Sequence, residues 1–167
     1  MSGAIVRSLP LLAALSLFGA AAGCSPAVSE APAKVAQAEA THPESGLAVI
    51  PLSVTGSGKT HRFRVELARD RLEQARGLMF RTAMGADEGM LFPLDPPRTA
   101  SFWMKNTVIP LDIIFIGRDR RILNIAANTV PYSEDNILSE GEAVAVLELV
   151  GGRAAQLGIA PGDKVTW

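Results

Sequence analysis

Hydrophobic and polar positions divide this chain into three textures. Residues 9–18 are an apolar run, residues 25–46 hold Ala, Pro, Ser, Glu and Gln with almost no large apolar side chain, and from Leu47 onward short apolar runs alternate with turn residues. Between His61 and Leu67 polar and apolar residues alternate, which puts Phe63, Val65 and Leu67 on one face of a strand. The apolar residues 47–52 precede it across Thr55-Gly56-Ser57-Gly58-Lys59, so the pair predicts a half-buried hairpin. Asp70 and Glu73 have the spacing of a capping box. A short helix over 70–76 is expected, with Leu72, Ala75 and Met79 toward the core and Gly77 as its stop.

Residues 89–93 and 99–104 read as strands separated by a proline-rich turn, and Pro110 forces a turn or bulge because it has no N–H for a ladder. Residues 111–116 are apolar on both faces apart from Asp112, the pattern of a middle strand covered on each side. A charged turn at 117–120 leads into a returning strand over 121–126, and 143–150 is another apolar strand whose one charge is Glu148. Residues 151–158 predict one or two helical turns capped by Gly158, then a Pro161-Gly162 turn and a last short strand. About seven short strands and two brief helices make residues 47–167 a compact, mainly β domain, built as a small barrel or as coiled sheets.

The beginning of the chain has a different purpose. Arg7, the apolar run after it and the small residues 19–23 have the order of an export signal over 1–23, whose apolar part is shorter than the roughly 20 residues a membrane span needs. Ala21-Ala22-Gly23-Cys24 resembles the bacterial lipobox, with Ala21 where leucine is more usual. That resemblance implies a lipid on Cys24, and Ser25 after it resembles lipoproteins sorted to an outer membrane. The other reading is ordinary cleavage, leaving a soluble exported protein with one free thiol. Residues 24–46 cannot bury enough surface to offset their ordering entropy and are expected to be a disordered tether, with His42 solvated in it. The expected location is the cell envelope, facing the periplasm, with the membrane as partner through Cys24. The 16 basic and 17 acidic residues are interspersed, which argues against a nucleic-acid partner.

Candidate chemistry concentrates in residues 101–116, SFWMKNTVIPLDIIFI, where polar groups sit inside apolar sequence and each needs a partner or a ligand. The candidate ligand-binding residues are Trp103, Lys105, Asn106, Thr107 and Asp112, with Arg76 nearby in sequence pattern. With His42, His61 and Cys24 as the only residues of their kinds, neither a Ser-His-Asp arrangement nor a His/Cys zinc site is expected in the domain, and no cofactor is implied. Residues 55–60 imitate the end of a phosphate loop but lack its first glycine and lead into a strand. Asp112 and Glu148 with Lys105 could do acid and base work, as in hydrolysis of a glycoside, or Lys105 and Asp112 could form an ion pair bracing the bulge. Arg76 and Arg81 could seat an anion, or pair with Glu73, Asp87 or Glu88. Trp103 is either core packing or an aromatic platform for a small ligand.

Arg76-Gly77-Leu78-Met79, Gly89-Met90-Leu91-Phe92, Phe102-Trp103-Met104-Lys105-Asn106-Thr107, Ile109-Pro110-Leu111-Asp112, Val146-Leu147-Glu148-Leu149 and Gly158-Ile159 before Gly162-Asp163 together resemble the prokaryotic family called domain of unknown function 192. The resemblance runs from about Arg62 to Trp167. It implies a small mainly β domain, commonly exported in bacteria, with no established activity, cofactor or catalytic residues. The function expected is that of an envelope protein with a noncatalytic ligand- or partner-binding domain; the alternative is a carboxylate-dependent envelope hydrolase.

Overall fold

The computed structural model describes residues 40–167; the export signal, Cys24 and residues 25–39 of the tether lie outside the described residues. The chain runs β1 (Ala40–Thr41), β2 (Ala48–Gly56), β3 (Lys59–Leu67), α1 (Arg71–Arg76), β4 (Glu88–Phe102), β5 (Leu111–Gly117), β6 (Ile122–Ala126), β7 (Ile137–Val150), α2 (Arg153–Leu157) and β8 (Lys164–Thr166). One open sheet takes the order β1-β2-β3-β4-β7-β5-β6, with β8 beside β2. Only β3 and β4 pair in parallel; the other ladders are antiparallel. The mainly β architecture with two short helices is as the sequence predicts.

Register decides what each face carries, because paired residues project to the same side. Leu67, Leu91, Leu147 and Ile114 form one row across β3, β4, β7 and β5. The adjacent row is Glu66, Met90, Glu148 and Ile113, on the opposite face. The first face builds a core with Val54, Phe63, Val65, Ile116 and Ala154 of α2. The second builds another with Phe92, Met104, Leu111, Phe115 and Val146, closed by Leu78. Each such side chain contributes about 1.5–3 kcal/mol by leaving water, so a sheet buried on both faces has two independent reasons to keep its register. Every residue of β5 is buried, as expected of a middle strand.

Several local expectations change. Leu72 is 82 % exposed, and α1 buries none of its residues. The helix is held by polar contacts instead: the Gln74 amide donates to the carbonyls of Ala68 at 3.2 Å and Pro93 at 2.8 Å. The two strands read at 89–93 and 99–104 are one strand, β4, whose register against β7 shifts between Pro93 and Arg98; Pro96 and Pro97 fall in that interval, where no ladder donor is required.

The last part of the tether is folded. β1 pairs with Val49 and Ala48 of β2, and the His42 N–H donates to the Leu47 carbonyl at 2.8 Å. Ser45 donates its hydroxyl to Glu66, and Glu44 accepts from Arg81 Nε at 3.1 Å. His42 is half-buried, with Nδ1 3.7 Å from Glu66. Residues 40–46 are therefore part of the fold, because three polar side chains of the segment have partners in the domain.

Candidate ligand-binding site

Three irregular pieces of backbone meet over the second face of the sheet. Asp70 caps α1 by accepting from the Leu72 and Glu73 amides at 2.8 and 2.9 Å, and Glu73 accepts from the Asp70 N–H at 3.0 Å, the capping box the sequence predicts. Gly77 ends the helix with φ 46° and ψ −134°, a conformation a side chain would oppose, and its N–H donates to the Glu73 carbonyl. The chain then passes Leu78 into the core, and the Phe80 N–H donates to the Asn106 carbonyl at 2.8 Å. After β4 the Met104 N–H donates to the Ser133 carbonyl and the Tyr132 N–H to that of Thr107. Phe80, Asn106 and Tyr132 all have left-handed backbone, with φ of 64°, 54° and 62°. For bulky aromatics this is an unfavourable region that surrounding structure must enforce, and such residues cluster at binding sites.

Beneath this junction lies a cavity of about 290 Å³, bounded by the end of α1, by Phe92 and Leu94 of β4, and by residues 101–107. Burial orders its lining. Glu148 is deep, only 5 % exposed, while Arg76, Arg98 and Trp103 stand at the surface, Trp103 being 46 % exposed. Lys105 lies 4.9 Å over the Trp103 ring and 3.7 Å from Glu134. Arg76 makes no ion pair among the described residues, and the Arg98 guanidinium reaches only the Pro96 carbonyl, at 3.4 Å. A second cavity, of about 550 Å³, adjoins the first and shares Gln74 and Arg98 with it.

Glu148 gives the site its chemistry. Its carboxyl faces the cavity and has no hydrogen bond or ion pair among the described residues, and burial pushes its pKa up to about 8. At neutral pH it is therefore mostly a neutral acid, able to donate one hydrogen bond.

The candidates from the sequence separate accordingly. Trp103, Lys105, Thr107 and Arg76 line the cavity. Asn106 supplies the left-handed bend, and its amide points to the Met79 sulfur at 3.8 Å. Asp112 is on the other face of the sheet: Oδ1 accepts from the Asn128 and Gly152 amides at 2.8 and 2.9 Å, and Oδ2 from Ala154 at 2.7 Å. It ties the start of α2 to β5 and does not pair with Lys105. Since Asp112 pairs with Leu149 and Ile113 with Glu148, the two carboxylates of the hydrolase reading project to opposite faces and share no cleft. Arg81 is buried rather than at a rim, bidentate to Glu66 at 2.9 and 3.1 Å. Arg98 and Gln74 are site residues that sequence patterning does not single out.

The family model described as "Uncharacterized ACR", DUF192, matches residues 52–167. Among solved structures the chain is similar to a protein of unknown function from Novosphingobium aromaticivorans DSM 12444, with 61 % identity, a TM-score of 0.77 and coverage of 79 % of this chain and 94 % of that one. It is also similar to a protein from Sinorhizobium meliloti 1021 described as a candidate transcription regulator, with 43 % identity, a TM-score of 0.70 and coverage of 72 % and 94 %. Among curated proteins none matches the chain.

Proposed function

We propose, from the premise that the chain belongs to the DUF192 family, that its domain binds a small ligand in the cavity beside Trp103 and acts by binding rather than by turnover. The observation that carries this reading is Glu148, a buried carboxyl facing the cavity with no hydrogen bond or ion pair among the described residues. No side-chain oxygen among the described residues is both sealed from solvent and unbonded, so the Glu148 carboxyl is reached through the cavity, where water or a ligand can bond to it. A partly exposed tryptophan, a lysine and two arginines around one small recess are the few placed polar and aromatic groups a ligand site uses. Left-handed backbone at Phe80 and Asn106, next in sequence to the lining residues Met79, Lys105 and Thr107, points the same way.

The same proposal includes an exported protein held at the envelope membrane by a lipid on Cys24, motivated by the sequence of the first 24 residues. A regulator of transcription, the role named for the Sinorhizobium protein, finds no support in the interspersed charges of this chain.

A fragment library followed by thermal shift tests the binding reading, with wild type set against Ser101→Trp, which fills the cavity from its exposed side. Shifts in wild type that vanish in Ser101→Trp are expected; a broad library giving none in wild type overturns the reading. Mass analysis of the mature amino terminus tests the anchor, since a diacylated Cys24 and a free thiol differ in mass by several hundred daltons, on the order of two acyl chains.

A further inference from the structure

The cavity carries information about its ligand beyond its size. Its charged lining comes from three directions: Arg76 from the end of α1, Arg98 from β4 and Lys105 from the segment after β4. From β7 comes Glu148 alone, and β5 offers no charge on this face because Asp112 projects to the other. The other acids of β7 are away from the cavity, Glu142 being paired with Arg118 at 2.9 Å. Glu134 approaches Lys105 from outside the lining.

We infer that the ligand is a small organic anion, its negative group held by Arg76, Arg98 and Lys105 while the Glu148 carboxyl donates a hydrogen bond to an acceptor on the same molecule. The inference rests on the binding reading above and deepens it. Arg76, Arg98 and Lys105 line the recess, with Glu134 3.7 Å from Lys105 and Asp95 beside Arg98 in the adjoining cavity, and charge-assisted hydrogen bonds from guanidinium groups are the strong ones for a carboxylate or phosphate. Ionising Glu148 would put a negative charge deep in that recess, so the neutral acid and the anion favour one another. Its raised pKa, about 8, keeps the donor form in place at neutral pH. Phe92, Phe102 and Trp103 give the rest of the molecule apolar surface to cover. A space of about 290 Å³ corresponds to about ten water volumes, which sets the scale at a ring with one or two substituents.

An ammonium ligand predicts the reverse pH behaviour. It would bind better once Glu148 ionises and would release a proton at neutral pH, whereas the anion binds best below pH 8 and takes a proton up as it binds.

Matched probes of one shape decide between them: benzoate, benzyl alcohol and benzylamine, followed by amide chemical shifts and the Trp103 indole resonance at pH 6.5 and pH 9. Benzoate is expected to bind at least tenfold more tightly than benzyl alcohol at pH 6.5 and to weaken about tenfold at pH 9. Arg76→Gln with Arg98→Gln should cost about tenfold, while Glu148→Gln, whose amide still donates, should keep binding and flatten the pH profile. Inorganic phosphate displacing benzoate supports an anion seat common to both chemistries, and failure to displace it narrows the seat to carboxylates; both support the inference. Benzylamine or benzyl alcohol outbinding benzoate at the Trp103 site overturns the anion inference and leaves the binding reading standing. Failure of every probe and of the fragment library overturns both.

Discussion

Glu66 and Glu148 stand in one row of the sheet, on either side of Met90, and are buried alike at 3 % and 5 % exposure, yet only Glu66 has a cation. Arg81 meets it with two nitrogens, and Ser45 adds a hydroxyl. Glu148 has an open recess where Glu66 has Arg81. The same side chain two strands apart is thus closed off by a cation in one place and left open to the cavity in the other.

Stability should fall with rising pH on account of Glu148. Its pKa is about 8 in the folded chain against 4.5 for the unperturbed group, so between those values the folded state binds more protons than the unfolded state. The native state is favoured at pH 5 and loses roughly 3–5 kcal/mol by pH 9 if no other group intervenes. Urea unfolding at pH 5, 7 and 9 measures this, and Glu148→Gln should remove most of the slope.

Removing Arg81 should be severe. Arg81→Met leaves Glu66 buried without its cation and is expected to cost roughly 3–5 kcal/mol. The double change Glu66→Leu with Arg81→Met should recover most of that loss. A thermal-denaturation cycle of the two single variants and the double variant tests it, and additivity of the single effects would count against the pair.

Asp112 is expected to matter for folding and not for binding. Asp112→Ala removes the acceptor of three amides at 2.7–2.9 Å and should destabilise by roughly 3–5 kcal/mol. In the fraction that remains folded at low temperature, benzoate affinity should stay within about twofold of wild type by calorimetry.

Trp103 should show the opposite profile. With nearly half its surface already in water, Trp103→Ala is expected to cost only about 1 kcal/mol in urea unfolding. Fragment binding should weaken about tenfold, because the ring is the largest apolar surface at the entrance.

Much of this arrangement was legible in the chain itself. Period-two alternation found β3, the fully apolar run found β5, and Asp70 with Glu73 found the start of α1. Of the segment 101–116, Trp103, Lys105 and Thr107 line the cavity. Which face a polar residue takes was not legible at the kink after β4. Asp112 and Glu148 look equivalent as single charges in apolar strands, and only the pairing register, one residue apart, sends them to opposite sides. Leu72 misled because periodicity cannot show that a six-residue helix lies on the surface, fixed by an amide on Gln74. The folded end of the tether was hidden because its order comes from Arg81 and Glu66, residues distant in sequence whose charges a local composition reading cannot weigh.

The placement of β1 and β8 bears on how the sheet edge at β2 is covered. β2 has β3 along one flank, and its outer flank is shared: β1 covers Ala48 and Val49, while β8 covers Ser53, Val54 and Thr55. Two very short strands thus occupy hydrogen-bonding groups that would otherwise template a neighbouring copy. A chain trimmed to the first residue of the family match, Leu52, would lose β1 and the first four residues of β2, leaving Arg64, Val65 and Glu66 of β3 without their partners on that side. Light scattering should report more self-association in that shortened chain than in the longer one.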